Sequence, residues 1–153
     1  MVTTYRWQAA SFKQLKKREL YAALRLRQEV FAVEQNSAYQ DLDNLDQLAM
    51  HILCWNKGEL LAYQRCLPPG VNFPESALGR IVVSKPARGA DLGRALVRRG
   101  ISHNLTRWPE AGLRINAQSY LTQFYRELGF VTDGEEYGED GIPHIQMVYA
   151  PSG

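Results

Sequence analysis

The chain has 153 residues, 45% hydrophobic and 22% charged, which suits one globular domain over 1–153 and excludes disordered, collagen-like and coiled-coil chains. Its 18 Lys and Arg against 16 Asp and Glu are too evenly balanced to indicate nucleic acid by charge alone. The signs are nonetheless segregated. Residues 13–27 and 85–107 are basic and residues 41–46 and 133–140 acidic, a split that fits an anionic ligand at one region and a cationic one at another.

In chain order, residues 5–9 form the first expected strand. A helix follows over about 16–34, with Leu20, Leu24 and Phe31 on one stripe, Tyr21 and Val30 beside it, and Arg18, Arg25 and Glu29 opposite. A polar, acid-rich loop covers 36–47. Residues 51–55 and 60–66 make a hairpin about Lys57-Gly58. A two-residue turn there sets His51 opposite Gln64, on one side with Leu53, Trp55, Leu60 and Ala62. Cys54 and Cys66 are then out of register, and their spacing marks neither a disulfide framework nor a metal site. Residues 78–84, the most β-branched run, form a central strand; a basic turn leads to a helix over about 92–107. Residues 113–117 are a strand and 121–128 a short helix stopped by Gly129. Strands at 130–131 and 145–149 are joined by an acidic loop over 133–143. The order is that of an α/β domain with a mixed sheet. No apolar run is long enough to span a membrane, and MVTTYRWQAASFKQ has no apolar signal core, so a cytoplasmic protein is expected.

The chemistry concentrates where strand 78–84 meets helix 92–107. A buried strand, a turn containing Gly89 and a helix start bring together unpaired N–H groups and the positive end of a helix dipole, which suits a phosphate. Gly89 and Gly93 let backbone approach a ligand, and Lys85, Arg88 and Arg94 add charge. Neither G-K-[ST] nor G-x-G-x-x-G is present, which excludes a Walker loop and disfavours a dinucleotide fold. Asp91 reads either as a helix N-cap or as a charge that repels phosphate. Asp41, Asp43 and Asp46 fail as a calcium loop, since Leu45, Asp46 and Ile52 stand where a ligand, a Gly and a Glu are needed. They read as a solvated loop or as a rim that receives an amine. Glu34, His51 and His144 are candidate bases. The basic helix, with Arg94, Arg98, Arg99 and Arg107, has no interleaved aromatics and no DNA-binding motif, so a nucleic-acid face gains little support.

Val83-x-x-x-x-Arg88-Gly89-x-x-x-Gly93-x-x-Leu96 resembles the acetyl-CoA motif of the GNAT superfamily of N-acetyltransferases. Arg88 and Gly93 match its diphosphate-binding stretch; Asp91 stands where a glycine is usual. A second signature, a Tyr ahead of Gly-Phe, is present as Tyr125 and Gly129-Phe130. Leu26-Arg27, Val30-Phe31, Val33-Glu34-Gln35, Tyr39 with Asp41, Asp43 and Asp46, His51, Asn116-Ala117-Gln118 and the stretch 139–144 are similar to the ElaA-like branch.

The resemblance implies a single-domain acyl-CoA N-acyltransferase fold, with a mixed, mostly antiparallel sheet splayed at its centre and flanked by helices. It implies acetyl-CoA as co-substrate and no metal. Ile81, Val82 and Val83 would pair with the pantetheine arm. Arg88, Gly89, Ala90, Asp91, Leu92, Gly93 and Arg94 would hold the diphosphate, and Asn116, Gln118 and Tyr125 would complete the cofactor site. Tyr125 takes the family role of general acid toward the departing thiolate. Strand 78–84 has no carboxylate, which leaves the base open among Glu34, His51 and His144. Arg27, Asp41, Asp43 and Asp46 are assigned to the acceptor. The expected function is N-acetyl transfer from acetyl-CoA to a primary amine of a small molecule or peptide, by direct attack in a ternary complex. The alternatives are a catalytically silent acetyl-CoA sensor and a nucleic-acid-binding module on helix 92–107; a homodimer stays open.

Overall fold

Lys57 and Gly58 both take positive φ, 50° and 80°, the conformation of a two-residue primed turn whose twist matches the strands it joins. It connects β2 (Met50–Asn56) to β3 (Glu59–Leu67). The expected register holds only beside the turn: Trp55 faces Leu60, but Cys54 faces Ala62 and His51 faces Arg65. Leu61 is an extra residue in β3, and its carbonyl accepts a 2.8 Å hydrogen bond from the Ser84 N–H. The bulge turns Ala62 and Gln64 to the face opposite His51, correcting the expected His51–Gln64 pairing by one residue.

The computed structural model describes residues 4–151; both ends of the domain expected over 1–153 lie outside the described residues. The other strands are β1 (Arg6–Ser11), β4 (Ser76–Val83), β5 (Leu113–Gln118), β6 (Phe130–Thr132), β7 (Tyr137–Glu139) and β8 (Ile142–Tyr149). They form one sheet ordered β1-β2-β3-β4-β5-β8-β6, with β7 on β8. Every pairing is antiparallel except β4–β5. β7 lies inside the stretch expected as an acidic loop. Asp140 and Gly141, at φ 52° and 78°, fold it back onto β8 in a second tight hairpin.

Helix α1 (Lys17–Arg27) covers one face of the sheet; α2 (Leu92–Arg107) and α3 (Thr122–Glu127) cover the other. The alternation of β2 feeds both layers. Leu53 and Trp55 meet α1 together with Tyr63 and Val82, whereas Ile52 and Cys54 meet Leu92, Leu96 and Ile101 of α2. The helix expected over 16–34 changes winding: α1 passes into a π-helical segment, Gln28–Glu34. Its buried residues include Ala23, Leu26, Arg27 and Val30; Leu20 and Phe31 of the expected stripe pack partly buried against the same cluster, and Tyr21 is exposed. Arg27 lies buried beneath the helix, held there by carboxylates described below.

Among the described residues the sheet opens at its one parallel junction. β4 and β5 pair through Ser76–Leu113 and Ala77–Arg114 alone. Beyond that point the facing edges of Leu78–Val83 and Ile115–Gln118 have no strand partner. On its other edge β4 carries a bulge: Gly79 faces Arg65 and Val82 faces Tyr63, so Arg80 and Ile81 together oppose one residue of β3. Arg80 sits there with φ 49°.

Candidate active site

The opening between β4 and β5 is a cleft of about 930 Å³. Ile81, Val82 and Val83 form one wall and Asn116 and Gln118 the other, while Gly89, Asp91, Leu92, Gly93 and Arg94 close one end. Of the residues expected to hold a cofactor, only Ala90 is off the lining. The start of α2 is bare. Asp91 has φ 60° and its carboxylate makes no capping hydrogen bond, contrary to the N-cap reading. Its side chain is 84% exposed, with Oδ1 3.6 Å from Arg94 Nε. The first N–H groups of α2 are therefore free of a side-chain acceptor, as an anion site requires. A Cβ on Gly93 would sit in ordinary contact, 3.7 Å, with Phe124 and Val83. These features fit a diphosphate with an extended arm.

Arg88 is already engaged. Its Nη1 and Nη2 donate to Glu34 Oε2 and Oε1 at 2.5 and 2.9 Å, and Nε donates to the Val83 carbonyl at 3.1 Å. The hydrogen bonds from Arg88 hold the Glu34 carboxyl below its usual pKa, a poor setting for a base. Arg94 Nη2 donates to Glu127 Oε1 of α3 at 3.0 Å.

Tyr125 lines the cleft and is otherwise buried, edge-to-face with Phe124 and Phe130. Burial pushes its hydroxyl well above the ordinary tyrosine pKa, so it stays protonated. His144 also lines the cleft, opposite Gln118 across the β5–β8 ladder. Its Nδ1 lies 2.7 Å from the Ile142 carbonyl; a carbonyl can only accept, so Nδ1 donates there, and in the neutral ring Nε2 is the nitrogen with the lone pair. Glu139 Oε2 stands 3.6 Å from that Nε2. His51 differs. It is 0% exposed, with Nδ1 2.6 Å from the Tyr63 hydroxyl and Nε2 2.9 Å from the Asp46 carbonyl. Burial lowers its pKa, and it is absent from the cleft lining. It ties β2 to the acidic loop rather than serving as a base.

The acetyltransferase (GNAT) domain profile matches residues 8–151. This chain belongs to the GNAT acetyltransferase family. It is 40% identical to the protein ElaA of Escherichia coli K12 over 143 residues, 92% of this chain and 94% of that one. Its fold superposes on the crystal structure of Escherichia coli ElaA with TM-score 0.90 and 38% identity, covering 95% and 99% of the two chains. An acyl-CoA N-acyltransferase from Pseudomonas aeruginosa gives TM-score 0.91 and 40% identity over 96% of this chain and all of that one.

Within this GNAT fold the acidic loop is not an open rim. Asp41, Asp43 and Asp46 alternate with Arg27, Arg80 and Arg65 in a closed ring of ion pairs. Arg27 reaches Asp41 at 2.9 Å and Asp46 at 2.8 Å. Arg65 reaches Asp46 at 3.0 Å and Asp43 at 2.8 Å. Arg80 reaches Asp41 at 2.7 Å and Asp43 at 3.3 Å. Three carboxylates balance three guanidiniums, which leaves no net charge for an ammonium to find. Arg27 is 1% exposed, and of the four residues assigned to the acceptor only Asp43 touches the cleft. The expectation of an amine-binding rim is corrected accordingly. Sequence reasoning passed over Arg65 and Arg80; the signal was a charged residue inside each of two otherwise buried strands. Gln35, noted in the sequence only as part of the family resemblance, exchanges side-chain amide hydrogen bonds of 3.3 and 3.4 Å with Gln118 across the cleft. Two arginines of the basic helix lie over the protein's own aromatics: the Arg99 guanidinium is 4.2 Å from the Trp7 ring, and that of Arg107 is 5.9 Å from Trp108. Among the described residues there is no cluster suited to a metal ion, and no helix is long and apolar enough to cross a membrane.

Proposed function

We propose that this chain transfers the acetyl group of acetyl-CoA to a primary amine of a small molecule or peptide, in the reducing cytoplasm, where Cys54 and Cys66 stay free thiols. The observation that carries the reading is the splay of β4 from β5 beside the bare start of α2. An extended pantetheine arm can take up the unpaired strand edges while its diphosphate meets the helix N–H groups and Arg88. Acetyl-CoA supplies an activated thioester. Backbone N–H groups of β4 polarise its carbonyl. His144 Nε2 removes a proton from the ammonium, and the Glu139 carboxylate steadies the imidazolium that forms. The neutral amine attacks the carbonyl carbon, the C–S bond breaks, and Tyr125 gives its proton to the thiolate; the second amine proton passes through solvent to restore Tyr125, and His144 releases the proton it took to solvent.

Thiol release measured across an amine panel, with products identified by mass spectrometry, tests the reading. Acetylated amine should form in step with free CoA. Tyr125→Phe should keep its affinity for acetyl-CoA and lose roughly 10²-fold in turnover. Wild-type turnover by the Phe variant would return Tyr125 to a core aromatic. CoA binding without thiol release across the whole panel would favour a silent sensor.

A further inference from the structure

Glu34 occupies the guanidinium fork that the diphosphate of acetyl-CoA needs. It ends the π-helical segment on one lip of the cleft, and Arg88 sits on the loop before α2 on the other, 54 residues away. Both line the cleft. Arg88 Nε is committed to Val83 and the Nη1–Nη2 fork to both oxygens of Glu34. One such fork serves a carboxylate or a phosphate, not both. The same lip is fastened twice more, by the Gln35–Gln118 amide pair and by the Ser37 hydroxyl, which donates to the Asp140 carbonyl at 3.3 Å.

We propose that Glu34 is a built-in competitor at the donor site: its carboxylate stands in for the diphosphate in the free protein, and the diphosphate of the acyl donor must displace it from Arg88. This rests on the acetyl-CoA reading above. A pantetheine thioester without the diphosphate leaves the Glu34–Arg88 pair closed. CoA opens it and turns the Glu34 carboxylate loose at the lip.

The test is calorimetric titration of the full chain with CoA and with pantetheine, for wild type, Glu34→Gln, Arg88→Ala and the double variant. Glu34→Gln should tighten CoA binding about three- to tenfold and leave pantetheine unchanged. The gain should vanish in the Arg88→Ala background. Glu34→Asp, which is too short to keep both hydrogen bonds, should fall between wild type and Gln. A purely structural role for Glu34 would move both ligands alike. CoA binding by Glu34→Gln at or below wild-type affinity, while Arg88→Ala binds weakly, overturns the inference and spares the acetyl-CoA reading. No CoA binding by any of the proteins, wild type included, overturns that reading itself.

Discussion

Asp91 holds a left-handed conformation that favours glycine, φ 60°, at the point where backbone must approach a diphosphate. Aspartate is one of the few residues to tolerate it. Its carboxylate points outward and shares Arg94, rather than capping α2. Asp91→Gly removes backbone strain and adds chain entropy, so stability should stay within about 1 kcal/mol of wild type. A negative charge near two phosphates also disappears. CoA should bind roughly two- to threefold tighter at low salt, and the gain should shrink as salt rises. Titration calorimetry at two ionic strengths reads both effects; equal affinity at low salt would show that the carboxylate lies outside the phosphate field. The two histidines treated alike in the sequence separate at this scale. His144 has a free Nε2 beside Glu139, while both nitrogens of His51 are spent.

At the scale of elements, the loop over 41–46 acts as a clasp. Its three carboxylates join the end of α1, through Arg27, to β3 and to the bulge of β4, through Arg65 and Arg80. Burial alone would raise the Asp43 carboxyl, but the hydrogen bonds and charge of Arg65, with help from the Leu45 N–H and Arg80, bring it down to about 2. A carboxylate whose folded pKa is depressed stabilises the fold above its unfolded pKa, near 3.8, and that stability is lost as pH falls through the folded value. Acid unfolding followed by tryptophan fluorescence should therefore steepen between about pH 4 and pH 2. Asp43→Asn should be less stable at neutral pH and flatter over that window; an unchanged acid limb would mean that the ring contributes no net stability.

What was legible follows from the range of the interactions. Helix 92–107 is read to the residue because its buried positions Leu92, Leu96, Val97 and Ile101 repeat at helical spacing within one segment. The Arg88-to-Gly93 turn and Tyr125 are local motifs, and both reach the cleft. The hairpin register was missed because the extra residue, Leu61, is tied to Ser84, beyond the pair itself. β7 was missed although Asp140-Gly141 is a hairpin signal, because acidic and glycine residues on either side mask a short strand. The ring joins residues 14 to 39 apart, and no periodicity reports such partners. Asp41, Asp43 and Asp46 therefore read as unpaired when each has two arginines.

At the scale of the whole molecule, one splay organises everything. The sheet parts after two parallel pairings, α2 starts at the mouth of the gap, and the segment 34–37 crosses it through Arg88, Gln118 and Asp140. Catalysis and the competition of Glu34 for Arg88 both presuppose acetyl-CoA in that gap. Thermal unfolding of the full chain with and without acetyl-CoA tests this most directly. At one hundred times its dissociation constant the ligand should stabilise the native state by about 2.7 kcal/mol, with Arg88→Ala needing more ligand for the same shift. A melting temperature that stays unchanged up to saturating acetyl-CoA would contradict the account.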